Sequence, residues 1–150
     1  MKRTIISLLL VFMLLLAAFP VRVFAAENDS IITFDDGSYI LVELIESSTR
    51  ATNSKTGQRV YNYYDSGSTL LWKAVLTANF TYTGSSSTCT SASCSVTVYD
   101  SDWYQVSKST SRSGNTATTQ LTMGHKVLGV TVSKPSYTIT LSCDANGNLS

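Results

Sequence analysis

Apolar and polar residues alternate along most of the chain after residue 30, and this period of two predicts β-strands rather than helices. The longest alternating run covers residues 70–82. One of its faces carries Trp72, Ala74, Leu76, Ala78, Phe80 and Tyr82. The other face is mostly polar, with Val75 as an apolar exception. We therefore expect this strand to cover a core with one face and to meet solvent with the other.

Nine segments carry a strand pattern, and turn signals rich in Gly, Pro, Asp or Ser separate them about every 8–12 residues. The segments are residues 31–34, 39–45, 60–64, 70–82, 94–99, 103–112, 115–123, 126–133 and 136–143. This spacing predicts an all-β fold, an antiparallel β-sandwich of about seven to nine short strands that is immunoglobulin-like in architecture. The Cys…Trp…Cys spacing of true immunoglobulin domains is not found in the chain, so the likeness is limited to architecture.

Two polar stretches interrupt the strand pattern. Residues 47–58 predict a linker, and the Gly- and Ser-rich residues 83–93 predict a loop. Residues 26–46 hold six acids and no base. We therefore divide the exported part into an acidic β-hairpin segment with a polar linker at 26–57 and a β-sandwich domain at 58–150.

Residues 1–25 predict a cleavable secretory signal peptide. Two basic residues precede an uncharged, apolar core at residues 5–19, which is shorter than the roughly 20 residues that a membrane span needs. We place cleavage after Ala25, with Ala26 as the second choice, and an uncleaved membrane anchor as the alternative. The expectation is a secreted, extracellular protein with no stable membrane anchor after signal cleavage.

The charge balance argues against a nucleic-acid partner. After residue 25 the chain keeps ten acids and eight bases, a formal charge of −2, whereas the full chain has +1. Nucleic-acid-binding domains rely on a basic surface that neutralises phosphates, and this part of the chain lacks such an excess. The remaining 125 residues are enough for one domain with a core.

Three cysteines follow residue 25, and thiols of exported proteins tend to pair. Cys94 and Cys143 lie in alternating runs with an inward phase, whereas Cys89 lies in the predicted loop. We favour a Cys89–Cys143 disulfide with Cys94 as a buried third thiol. Cys94–Cys143 and Cys89–Cys94 bridges remain alternatives, and the odd count also permits a disulfide-linked dimer.

No group of residues predicts catalysis, a metal site or a cofactor. His125, the only histidine, would have to serve as the base of a nucleophile pair, but an ordinary surface role near a turn explains it. Asp100 and Asp102 lie in a predicted turn, where aspartate caps backbone groups. Residues 144–148 alternate like the start of a calcium loop, but an EF-hand also needs flanking helices, so we expect a turn there.

The aromatic residues are numerous for a small domain, and some must point outward from a two-sided sheet. Trp72, Tyr82 and Trp103 are expected to fill the core. Exposed rings stack on sugar faces or anchor protein partners. The candidate binding aromatics are Tyr61, Tyr63, Tyr64 and Tyr104.

Four stretches form a distinctive combination. They are ITFDDGSYI (32–40), LLWKAVLTANFTYTGSSSTCTSASCSVTVYDSDWY (70–104), LGVTVSK (128–134) and LSCDANGNLS (141–150). Together they resemble a group of short, β-rich exported proteins of Gram-positive, largely gut-associated bacteria. The resemblance covers residues 31–150 and implies export and a single domain. The group has no assigned activity, so the resemblance implies no catalytic residues.

These observations predict a non-enzymatic exported domain that binds a glycan or a protein at or beyond the cell surface. The second hypothesis is a secreted toxin or bacteriocin-like effector, which rests on size, export and the odd thiol. The third is a small hydrolase that uses His125 with a Cys or Ser nucleophile.

Overall fold

The computed structural model describes residues 30–47 and 53–150. The predicted signal peptide and its cleavage site lie outside the described residues, as do residues 26–29 and 48–52 of the predicted acidic segment and linker. The described residues form nine strands in two antiparallel sheets and no helix, which confirms the predicted all-β sandwich. This part of the chain accordingly offers no helix that could cross a membrane.

The first sheet is a meander in which each strand pairs with the next one along the chain. Its strands are β1 (Ser30–Thr33), β2 (Tyr39–Ser47), β3 (Ser54–Tyr64), β4 (Leu70–Tyr82) and β5 (Ser87–Val98). The predicted bounds of β4 and its inward face are confirmed, because Trp72, Leu76 and Phe80 are buried. β2 also contributes Ile40 and Val42 to the core, so the predicted acidic hairpin lies in the same sheet as the later strands.

The second sheet is built around β7. Its strands are β6 (Trp103–Ser113), β7 (Thr116–Val127), β8 (Val130–Ser133) and β9 (Ser136–Ser142). β6 pairs with one edge of β7, and β9 and β8 follow each other along the opposite edge. The segment 126–133, which the sequence predicted as one strand, is therefore divided between the end of β7 and β8. The chain turns back earlier, at Leu128, and the ladder breaks near Pro135, which has no N–H to donate.

Two strands begin earlier than the sequence predicted. β3 starts at Ser54 rather than Val60, so the end of the predicted linker is strand. β5 starts at Ser87 rather than Cys94, so most of the predicted loop at 83–93 is strand as well. Both stretches are polar, but each pairs along its length with β4, whose backbone groups they satisfy.

The core lies between the two sheets. Its largest fully buried apolar side chains are Trp72, Phe80, Ile40, Leu76, Leu121, Met123, Ile139 and Leu141. The likeness to immunoglobulin domains is limited to the pair of packed sheets, because the first sheet is a meander whereas immunoglobulin strands follow a Greek key. The turns between strands gather at the two ends of the sandwich, and one of these ends is open.

Candidate functional site

A cavity of about 670 Å³ lies at one end of the sandwich, which we call the cavity end. The β1–β2, β3–β4 and β5–β6 turns and the β8–β9 connection surround it. Its lining residues are Phe34, Asp36, Ser38, Tyr63, Asp65, Ser66, Leu71, Asp100, Asp102, Trp103, His125, Ser133, Lys134, Pro135 and Tyr137. The volume lies within the range of about 300–1,000 Å³ that is typical of small-molecule sites.

The β1–β2 turn places a carboxylate and a hydroxyl at the rim of the cavity. Gly37 closes the turn with a φ of 81°, a conformation that favours glycine. The Ser38 hydroxyl donates to Asp36 Oδ1 at 2.5 Å, and the Tyr63 hydroxyl lies 2.9 Å from Ser38 Oγ. Since the single hydroxyl proton of Ser38 is given to Asp36, Tyr63 is the donor in that second bond. The bonds from Ser38 lower the pKa of the Asp36 carboxyl, which therefore stays ionised in neutral solution.

Aromatic rings form one wall of the cavity. Tyr63 stacks on Trp72 with ring centroids 5.1 Å apart and meets Trp103 at 5.0 Å. Tyr137 packs against Trp72 at 5.1 Å, and His125 stacks on Trp103 at 4.7 Å. Trp72 Nε1 is buried without a hydrogen-bond partner in the described part of the chain. These contacts join the rings into one aromatic cluster at the cavity end.

Carboxylates dominate the charge of the cavity. Asp36, Asp65, Asp100 and Asp102 line it, against the single ammonium group of Lys134. Asp65 accepts the N–H of Thr69 at 2.7 Å and Asp100 accepts the N–H of Asp102 at 2.7 Å, so both also act as the turn caps expected of aspartate. The Asp102 carboxylate has no partner among the described residues. The cavity therefore offers hydrogen-bond acceptors to a ligand.

Among the described residues, the geometry does not assemble the nucleophile pair that a hydrolase would need. The Ser38 hydroxyl donates to a carboxylate rather than to an imidazole. His125 lies flat against Trp103, and its ring nitrogens have no hydrogen-bond partner in the described part of the chain. Within residues 30–47 and 53–150 no group of three His, Cys, Asp or Glu side chains is arranged to hold a metal ion.

The four candidate binding aromatics are not brought together. Tyr63 is buried and reaches the cavity, whereas Tyr61 is half-buried on the same strand face, with its hydroxyl 3.5 Å from the Thr138 carbonyl. Tyr64 stacks on Tyr39 at 5.0 Å. Tyr104 is half-buried on the second sheet. Of the rings expected in the core, Trp72 and Trp103 are buried and Tyr82 is half-buried.

Sequence reasoning missed several residues of the cavity. Tyr137 was not singled out, although it shares the alternating phase of Ile139 and Leu141, and this phase places its ring at the inner edge of β9. Burial raises the pKa of its hydroxyl far above the ordinary value of 10.0, with Tyr63 and Asp36 as smaller contributors. No sequence pattern marked Phe34 or Lys134 as a site residue, because they become neighbours only when separate turns come together in the fold.

All three cysteines are free thiols in the structure, so the favoured Cys89–Cys143 disulfide is not formed in it. Cys89 is not in a loop, as the sequence predicted, but in β5, where it is buried opposite Phe80. Cys94 faces the core side opposite Leu76, as its phase predicted, but is only half-buried. Burial raises the pKa of the Cys89 and Cys94 thiols, which disfavours the reactive thiolate.

The opposite end of the sandwich, which we call the closed end, is tied together by backbone hydrogen bonds. Residues 53–57, 80–89, 112–117 and 141–150 form it. Cys89 N–H donates to the Gly114 carbonyl at 2.8 Å, and Gly84 N–H donates to the Ala145 carbonyl at 2.8 Å. The Asp144 carboxylate accepts three hydrogen bonds from Asn146 and Asn148, so residues 144–148 form the turn that the sequence predicted.

Comparison with known proteins adds no relative to this picture. No protein-family model, no curated protein and no solved structure matches the chain. The resemblance to short exported proteins of Gram-positive bacteria therefore stays a prediction from the sequence, and the arrangement of residues is the basis for any functional proposal.

Proposed function

We propose that this chain is a non-enzymatic exported binding module, and that the cavity end holds one sugar residue of a cell-surface glycan. The observation that supports the proposal most directly is a concave site in which the carboxyl groups of four aspartates stand beside aromatic rings. Export follows from the predicted signal peptide and is part of the proposal.

Sugar chemistry matches such a lining. Sugar hydroxyls donate hydrogen bonds, and the carboxylates of Asp65 and Asp102 are acceptors at the rim. The apolar face of a sugar ring stacks on an aromatic ring, and Phe34 is 37% exposed while Tyr137 is half-buried at the lining. The cavity volume of about 670 Å³ is in the usual range of small-molecule sites and leaves room for one sugar residue.

The charge of the lining narrows the class of glycan. Four aspartates against Lys134 give an excess of negative charge, and like charges repel. Sugars that carry a carboxylate or a phosphate are therefore disfavoured. Neutral sugars, and sugars that carry a free amine, are the expected ligands.

The non-enzymatic part of the proposal rests on the side chains with reactive groups. The Ser38 hydroxyl is committed to Asp36, and His125 stacks on Trp103 rather than pointing a nitrogen at a nucleophile. Cys89 and Cys143 are buried in the core. A binding role needs none of these groups to react.

The proposal is tested by titrating the protein with neutral, amine-bearing and acidic oligosaccharides in a calorimeter. Asp102→Asn is expected to weaken the affinity about tenfold, because a charged acceptor in the cavity is lost. Asp35→Asn is the matched control, since Asp35 lies beside Asp36 in the same turn but does not line the cavity. Absence of binding to every sugar, or equal loss in both variants, would contradict the proposal.

A further inference from the structure

The β7–β8 hairpin exposes an unusual amount of aliphatic surface at its tip. We call residues 126–132 the tip hairpin. Leu128 is 97% exposed, Val130 66%, Val132 56% and Val127 48%. Scattered apolar residues are normal on a protein surface, but four of them within six positions form a contiguous patch of the kind that marks an interaction site.

Leu128 also has a backbone conformation that is unfavourable for a leucine. Val127 pairs with Val130, so Leu128 and Gly129 form a two-residue turn with φ values of 51° and 79°. Such turns favour Asn-Gly, because both central residues need a left-handed conformation. A bulky leucine there costs about 1–2 kcal/mol. Neither turn geometry nor packing accounts for a strained and fully exposed leucine, so its side chain is the feature that needs a role.

The base of the tip hairpin combines an aromatic ring with cations. The Tyr104 ring lies on Gly124, where an added Cβ would be 2.3 Å from the ring. The Tyr104 hydroxyl bonds Thr131 Oγ1 at 2.9 Å, and Lys126 Nζ lies 4.8 Å from the ring centre. Between residues 124 and 135 the chain has two lysines, Lys126 and Lys134, and no acid. Aliphatic residues beyond a layer of tyrosine and lysine are the usual order at a bilayer surface.

We propose that the tip hairpin inserts its aliphatic side chains into the surface of a lipid bilayer, with Lys126 and Lys134 at the level of the headgroups. A lipid surface is favoured over a protein pocket because the tip has no Trp, Tyr or Arg, the residues that usually anchor protein interfaces. Residues 126–132 lie outside the proposed sugar site, whereas Lys134 belongs to both sites. The inserted hairpin would hold the open cavity close to a membrane surface.

The aspartates of the cavity limit the contribution of charge to this binding. Asp36, Asp65, Asp100 and Asp102 lie at the same end of the sandwich, and the Lys126 N–H is bonded to the Asp102 carbonyl at 2.8 Å. This nearby negative charge therefore weakens the attraction of Lys126 and Lys134 for lipid phosphates. Insertion of the aliphatic tip contributes most of the binding free energy, so the loss of the inserted leucine is expected to weaken binding.

The test compares Leu128→Asn with the wild type, both as residues 26–150, the form that the predicted cleavage leaves. Asparagine accepts a left-handed conformation, so the variant is expected to fold and to melt at the same or a higher temperature. Binding is measured by sedimentation with vesicles of phosphatidylglycerol and phosphatidylcholine. The variant is expected to partition about tenfold less than the wild type. Ile31→Asn removes a residue that is 62% exposed on β1, and this control is expected to bind like the wild type.

A second variant reports the depth of insertion. The native Trp72 and Trp103 are buried, so an added tryptophan in Leu128→Trp gives the exposed signal. Its emission is expected to shift to the blue with vesicles and to be quenched by brominated lipid chains. Lack of vesicle binding by the wild type, unchanged binding of Leu128→Asn, or an unquenched tryptophan would each overturn the proposal, the last by leaving a protein partner as the explanation of the tip.

Discussion

The two ends of the sandwich are built from the same strands but differ in how many of their polar groups are hydrogen-bonded within the protein. At the closed end, turns and the C-terminal segment bond to one another, as Cys143 N–H does with the Asn115 carbonyl and Asn115 Nδ2 with the Cys143 carbonyl. At the cavity end, the turns separate and leave carboxylate oxygens such as those of Asp102 unpaired among the described residues. The closed end is thus organised for stability, whereas the cavity end keeps hydrogen-bonding capacity for a ligand.

The largest effect is expected from truncation of the core at the closed end. Leu141 is fully buried and packs close to Gly57 and Leu149. Leu141→Ala is expected to lower the free energy of unfolding by about 2–5 kcal/mol, because it removes buried methyl groups and leaves a cavity. Urea unfolding followed by tryptophan fluorescence measures the change. A loss of less than about 1 kcal/mol, which is below the usual range for a buried leucine, would show that this end is not tightly packed.

A buried tyrosine makes the cavity end sensitive to alkali. Burial raises the pKa of Tyr137 well above 10.0, so the folded state holds this hydroxyl neutral. A raised folded-state pKa contributes stability that is present below the pKa of the unfolded chain and is lost as the pH rises through the folded-state value. Stability should therefore fall above a pH of about 10, and Tyr137→Phe should flatten that fall.

The matched control for this prediction is Tyr99→Phe, since Tyr99 is 57% exposed and lies outside the cavity lining. Unfolding curves recorded at intervals from a pH of about 8 to about 12 separate the variants. If Tyr137→Phe loses stability with pH as steeply as Tyr99→Phe, the Tyr137 hydroxyl is not buried as the structure has it.

Substitution of single polar side chains at the two ends is expected to give a smaller difference in the free energy of unfolding. Asn115→Ala removes the bond to the Cys143 carbonyl and is expected to lower the free energy of unfolding by about 1 kcal/mol. Asp102→Asn, at the cavity end, is expected to stay within about ±0.5 kcal/mol of the wild type, because its carboxylate has no partner among the described residues. Equal destabilisation by both substitutions would remove the distinction between the two ends.

Sequence periodicity correctly predicted the strands in which one face is buried and apolar. The inward face of β4 is an example, because Trp72, Leu76 and Phe80 alternate with polar residues. The same reasoning failed for the start of β5, since residues 87–93 are stabilised as a strand by pairing with β4 and have little apolar alternation of their own. Polar strands at the edge of a sheet resemble loops in composition.

The candidate site could be predicted only in fragments. Asp100 and Asp102 were expected to cap a turn. The hydrogen bond from the Asp102 N–H to Asp100 Oδ1 confirms this for Asp100, whereas the Asp102 carboxylate accepts no hydrogen bond among the described residues. No pattern along the chain indicates that this turn meets Phe34, Lys134 and Tyr137, because the meeting depends on how two sheets pack. The tip leucine was likewise within a predicted strand, and its strain is visible only in the backbone angles of the turn.

The most direct test of the account is an NMR titration of the ¹⁵N-labelled protein with the best-binding sugar. Chemical-shift changes are expected at cavity-end amides such as those of Ser38, Asp102 and Ser133, and not at closed-end amides such as those of Gly57 and Asn115. Changes confined to the closed end, or to the outer face of the first sheet around Tyr64, would contradict the assignment of the ligand site to the cavity.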